Sequence, residues 1–181
     1  MKKYVYLLRH AKSRWDNENI NDKDRGLSER GVFDSQKIAK FLLDNSIQPE
    51  IIYTSSARRC LDTLNYSLSI AQFNLSKDLI IVQDRLYGCD VSYLLEIISG
   101  LNKDCNSVMI INHEPTIRLL ALYLTNRHSN QYRELIYQKY PTGSLAIIEG
   151  DCKSWSDIYD GTMRVSNFIL PKNLNGLDYI L

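Results

Sequence analysis

The sequence predicts an α/β protein, a three-layer α/β/α sandwich around a mostly parallel central sheet, in a single domain over residues 1–181. Short aliphatic, β-branched runs alternate with longer stretches whose apolar residues recur at helical spacing. This alternation predicts helices on both faces of the sheet. No repeat, low-complexity tract or domain linker interrupts the alternation.

The elements follow in order. Tyr4 to Leu8 is a first apolar strand. The polar stretch from Asn17 to Arg25 reads as a loop. Ser28 is placed to cap a helix, with Gly31 a weak spot near its start, and Ile38, Ala39, Phe41, Leu42 and Leu43 give that helix an apolar face. Ile51 to Tyr53 is a second strand. A helix over about 57–71 follows, with Cys60, Leu61, Leu64, Leu68 and Ala71 near helical spacing. Leu79 to Val82 is a third strand. Tyr93, Leu94, Leu95, Ile97 and Ile98 mark a short helix that stops at Gly100. Val108 to Ile111 is a fourth strand, and Leu119 to Leu124 lies in another helix. Ser144 to Ile148 and Arg164 to Leu170 are two late strands.

Composition narrows the function. Hydrophobic residues make up 44% and charged residues 24% of the 181, ordinary for a globular chain. A net charge of +1 implies no broad basic surface for nucleic acid. The run Leu119 to Leu124 is far short of the roughly 20 apolar residues of a membrane span. The Met-Lys-Lys start is followed by an apolar run that breaks at Arg9-His10, too short for a secretory signal. A cytoplasmic protein is the expectation, and a monomer. The four cysteines, Cys60, Cys89, Cys105 and Cys152, form no Cys-x-x-Cys pair, so reduced thiols and no zinc site are expected.

The chemistry-bearing residues gather at strand ends. Arg9 and His10 directly follow the first strand, where open α/β sheets place their ligand sites. An imidazole can attack phosphorus while a guanidinium grips phosphoryl oxygens. His113, in Asn112-His113-Glu114-Pro115, stands at the end of the fourth strand before a helix start. Arg58 and Arg59 open the helix after the second strand, where free backbone N–H groups favour an anion. Of three histidines in the chain, two stand at such strand ends. The third, His128, lies in a polar loop.

The chain resembles the histidine phosphatase superfamily, the phosphoglycerate-mutase-like fold, and within it the SixA-type phosphohistidine phosphatases. Leu8-Arg9-His10-Ala11-Lys12-Ser13 is similar to the Arg-His-Ala-Lys-Ser opening of that group. Ser55-Ser56-Ala57-Arg58-Arg59, with Thr63 beyond, is similar to its serine-rich turn. Asn112-His113-Glu114-Pro115 resembles Gly-His-x-Pro, with asparagine in place of the glycine. Tyr140-Pro141-Thr142-Gly143-Ser144-Leu145-Ala146 resembles its Pro-Thr-Gly segment. The resemblance implies that His10 is the nucleophile and becomes a phosphohistidine. Arg9, Arg59 and His113 would surround the phosphoryl oxygens, and no metal or cofactor would be needed. Counting back from Thr63 assigns the phosphate role to Arg59, with Arg58 left to solvent. Ser13 and Tyr87 are further candidates for substrate contact.

Asp84, before Arg85-Leu86-Tyr87-Gly88, stands where mutase-like relatives carry a glutamate acid. It acts as general acid or merely caps a turn. Asp16 would repel a phosphate unless it is paired. The substrate would be a phosphohistidine protein or a small phosphorylated metabolite. A mutase-type transferase would need a lid against water, yet only residues 85–112 separate Asp84 from His113. A binding module without turnover is the other reading, and the presence of His10 speaks against it.

Overall fold

The structure, a computed structural model, describes residues 1–16 and 19–174. Of the polar stretch 17–25, Asn17 and Glu18 therefore lie outside the described residues. Among the described residues one sheet contains β1 (Lys2–Arg9), β2 (Ile51–Ser55), β3 (Ile80–Gln83), β4 (Ser107–Asn112), β5 (Leu145–Asp151) and β6 (Arg164–Ile169). The helices are α1 (Glu29–Asp44), α2 (Arg58–Ala71), α3 (Val91–Ser99), α4 (Thr116–Leu124) and α5 (Gln131–Gln138). Strand order is β3-β2-β4-β1-β5-β6. The first four strands in this order run parallel, and β5 and β6 are antiparallel additions at one side.

Side-chain alternation builds the three layers. In β1, Val5 and Leu7 face one apolar cluster while Tyr6 and Leu8 face the other. In β4, Val108 and Ile110 join the first, Met109 and Ile111 the second. β4 is buried along its whole length, as a central parallel strand covered on both faces should be. Ile38 and Leu42 of α1 and Cys60 and Leu64 of α2 cover one face. Leu94 and Ile98 of α3, Leu120 and Leu124 of α4 and Ile136 of α5 cover the other.

Some local expectations shift. Leu79 belongs to a 3-10 turn, so β3 begins at Ile80. Leu43 is 39% exposed and lies off the apolar face of α1. Gly100 ends α3 at φ −82°, without a left-handed turn. α5 has no counterpart in the sequence reading. Only Ile136 of that helix is buried, while Leu135 and Tyr137 face solvent, so no apolar period marks it. The Asn130 side chain caps it by accepting from the Arg133 N–H.

The segment after β1 is fastened from three sides. The Lys12 carbonyl accepts the Ser28 N–H at 2.9 Å and its hydroxyl at 3.0 Å. Ser28 in turn caps α1 through the Gly31 N–H at 3.1 Å. Gly31 is not a weak spot but a close approach, since a Cβ there would lie 2.1 Å from the Lys12 carbonyl oxygen. Gly143, at φ +75°, sends its N–H toward the carbonyls of Arg9 (3.2 Å) and His10 (3.0 Å). The Thr63 hydroxyl of α2 accepts the Ala11 N–H at 3.0 Å and donates to the Arg59 carbonyl at 2.7 Å.

This fastening makes Gly31→Ala informative. Helix propensity alone would favour alanine by about 1 kcal/mol. Forcing a methyl group against a fixed carbonyl costs about 1–3 kcal/mol. The expected outcome is net destabilisation, read as a lower urea midpoint; an unchanged or raised midpoint contradicts the close approach.

Candidate active site

The site follows from strand register. β1 and β4 are parallel neighbours with Arg9 opposite Asn112. The next residue on each chain is a histidine, so the carboxyl ends of the two strands deliver His10 and His113 side by side. Their ring centroids are 5.0 Å apart at an interplanar angle of 52°.

His10 is 7% exposed, and its Nδ1 lies 2.8 Å from the Ala11 carbonyl oxygen. A carbonyl only accepts, so Nδ1 carries the proton and Nε2 keeps its lone pair. Burial, reinforced by His113, Arg59 and Arg9, pushes the His10 pKa down to about 3. The ring is therefore neutral at pH 7. His113 Nε2 lies 2.9 Å from the Ser55 hydroxyl at the end of β2 and 3.5 Å from the Cys60 sulfur. Its Nδ1 is buried with no partner. Burial and then Arg59 lower the His113 pKa to about 4, while Asp22 acts in the opposite sense.

Arg9 donates from Nη1 to the Tyr140 carbonyl at 2.6 Å, and its Nε is buried without a partner. Tyr140 is itself fixed, because its hydroxyl donates to the Leu7 carbonyl at 2.6 Å and accepts the Ala146 N–H at 3.2 Å. Arg58 and Arg59 turn to opposite sides. Arg58 turns outward and pairs with Asp62 at 2.7 Å. Arg59, 7% exposed, turns inward from the first turn of α2. Its Nη1 donates to the Asp22 carbonyl at 2.7 Å and its Nη2 to the Asp22 carboxylate at 3.0 Å.

Tyr87 packs its ring edge-on to His113 at 5.5 Å and donates its hydroxyl to the Asp22 carboxylate at 2.8 Å. Ser13 is buried, forms a backbone bridge with Leu27, and lines a cleft of ≈ 970 Å³ with Lys12, Arg14 and Trp15, none of Arg9, His10, Arg59 or His113 lining it. Asp84 is not brought into the cluster. Its side chain is 81% exposed and pairs with Lys23 at 3.0 Å. That carboxyl is held below its ordinary pKa by Ser56 and Lys23, the opposite of what a proton donor needs. Asp16 pairs with Arg14 at 2.6 Å, which offsets its charge. Asn112 stays in regular β4, and its side-chain oxygen accepts the His113 N–H at 2.8 Å.

The sequence reading missed Asp22 and the anchoring parts of Ser55 and Tyr140. Asp22 sits in a 3-10 turn within a polar loop, where no periodicity fixes a residue's neighbours. Among the described residues no group of three or more His, Cys, Asp or Glu is placed to hold a metal ion. The cysteines Cys60, Cys89, Cys105 and Cys152 are free. Among the described residues no helix is long and apolar enough to cross a membrane. The arrangement can present a neutral imidazole lone pair to an oxyanion held by guanidinium and imidazole N–H groups.

Neutral buried histidines link the site to stability. In the unfolded chain each takes a proton near pH 6.5, but in the fold only near 3 for His10 and 4 for His113. Between those limits the unfolded state binds more protons, so stability falls as pH is lowered. Urea midpoints are expected to drop from pH 7 to pH 4, with a shallower drop for His10→Asn. Equal slopes for the two proteins contradict a neutral, buried His10.

Comparison with known proteins accords with this geometry. The family model for the histidine phosphatase superfamily (branch 1) matches residues 5–80, which contain most of β1 and all of α1, β2 and α2. An uncharacterized protein of Mycobacterium leprae (strain TN) is 30% identical over 145 residues, covering 78% of this chain and 86% of that one. SixA of Agrobacterium tumefaciens superposes with a TM-score of 0.74 at 27% identity, over 93% of this chain and 98% of that one. SixA complexed with tungstate superposes with a TM-score of 0.76 at 22% identity, over 95% and 99% of the two chains, a likeness of fold. In sequence and in the whole course of its sheet, the chain belongs to the histidine phosphatase superfamily.

Proposed function

We propose that this phosphatase works without a metal, through a covalent phosphohistidine on His10, and that its phosphoryl donor is a phosphohistidine in a protein. One observation carries the reading. His10 has its Nδ1 proton tied to the Ala11 carbonyl and its ring 5.0 Å from His113, which leaves Nε2 as the free lone pair of a neutral, buried ring. Nε2 attacks phosphorus. Arg9, Arg59 and His113 carry the charge of the three equatorial oxygens. Water then attacks the phosphohistidine, and phosphate departs.

Among the described residues no proton donor is assigned to the proposed step, which favours a nitrogen leaving group. An alkoxide needs a positioned acid to depart, and Asp84 faces solvent on Lys23. An imidazole already protonated on its second nitrogen leaves as a neutral ring and needs none. A mutase-type lid is disfavoured, because residues 85–112 are taken up by the Asp84–Leu86 turn, α3, β4 and short connections. SixA elsewhere has been obtained with tungstate, and this site offers such a tetrahedral oxyanion a cationic surround of Arg9 and Arg59.

His10→Ala is expected to abolish turnover of a phosphohistidine peptide. Arg59→Ala keeps the nucleophile but loses oxyanion stabilisation, a loss of about 10²–10³ in kcat. Steady-state rates of the purified variants check both; near-normal turnover by His10→Ala contradicts the mechanism. Treatment with EDTA is expected to leave the rate unchanged, and strict dependence on added magnesium or zinc assigns a different chemistry.

A further inference from the structure

We propose that Asp22 is a specificity-determining residue, a fixed negative charge at the mouth of the site that favours phosphoryl donors whose leaving group presents an N–H. The proposal rests on the reading of His10 as nucleophile. Its basis is a carboxylate that the catalytic scheme does not otherwise use. One oxygen of Asp22 receives both Arg59 Nη2 at 3.0 Å and the Tyr87 hydroxyl at 2.8 Å. Its backbone carbonyl receives Arg59 Nη1 at 2.7 Å. Two donors on one carboxylate oxygen favour the ionised form, and both partners act to lower its pKa.

Depth places this charge on the leaving-group side. In-line displacement puts the leaving group opposite the nucleophile. His10 is 7% exposed and the Arg59 side chain 9%, whereas the Asp22 side chain is 46% exposed. The carboxylate is thus the solvent-facing group of the three. A leaving group directed away from His10 therefore departs past Asp22 and Tyr87. An ionised carboxylate cannot protonate a departing alkoxide, and it repels an anionic one. It can accept the N–H of an imidazolium. In that step His10 Nε2 forms a bond to phosphorus and the P–N bond to the donor imidazole breaks. The electron pair stays on the donor nitrogen, and the ring leaves neutral with its remaining N–H held by Asp22.

The test compares kcat/KM on a phosphohistidine peptide and on p-nitrophenyl phosphate, for the wild-type protein and Asp22→Asn. Asparagine retains an oxygen for Arg59 and Tyr87 as well as the backbone carbonyl, so the fold and the Arg59 anchor persist. The ratio of phosphohistidine to p-nitrophenyl phosphate activity is expected to fall about 10- to 100-fold, the worth of a hydrogen bond to a charged group. Parallel losses that leave the ratio unchanged mean that Asp22 only holds Arg59, and overturn the proposal. No loss on either substrate overturns it too. His10→Ala, run alongside, separates the two levels. If it is as active as wild type, the nucleophile and this assignment fall together. An inactive His10→Ala with an unchanged Asp22→Asn ratio overturns the role of Asp22 alone.

Discussion

The parallel pairing of β1 with β4, in the register that sets Arg9 opposite Asn112, is the constraint on which the rest of the site depends. A slip of one residue would send each side chain of β1 to the opposite face. Val5 and Leu7 could then no longer meet Val108 and Ile110 on one side while Tyr6 and Leu8 meet Met109 and Ile111 on the other. The hydrophobic core thus fixes the register, and the register fixes the distance between two histidines distant in sequence. The surrounding elements refine that result. Gly143, Thr63 and the start of α1 each take a backbone group of residues 9–12, so the segment bearing His10 leaves the sheet along one path.

Electrostatics and burial act together at the strand ends. Desolvation disfavours protonation of both rings, and the nearby arginines add to it, so both stay neutral at pH 7. Neutrality is what a nucleophilic imidazole requires, and it is obtained in the surroundings that an incoming phosphoryl group requires. Asp22 supplies the opposing charge. It bonds to both terminal nitrogens of Arg59 and so orders the guanidinium, with its own side chain 46% exposed. The carboxylate that the motif comparison singles out, Asp84, is bound instead to Lys23 on the surface.

Much of this was legible in the residues. The central strands could be read because they are buried on both faces and appear as continuous apolar runs. The choice of Arg59 over Arg58 comes from the family resemblance, counting back from Thr63; the structure shows the Thr63 hydroxyl bonded to the Arg59 carbonyl. α5 was not legible, since one buried side chain leaves no period to detect. Asp22 was not legible for a different reason. It reaches Arg59 and Tyr87 from a loop, and loop contacts across such separations carry no pattern in the intervening sequence. The Ser55 contact with His113 likewise depends on β2 lying beside β4, a matter of strand order rather than of local spacing.

The central claim, that phosphorus passes through His10, is tested most directly by trapping the reaction of the wild-type protein with a phosphohistidine peptide. The quench is alkaline, and peptide mapping by mass spectrometry follows. The account predicts a phosphoryl group on the peptide that contains His10, stable to base and lost in acid. A phosphoryl group on His113 or on Ser55, or steady turnover with no phosphopeptide at any time, would contradict it.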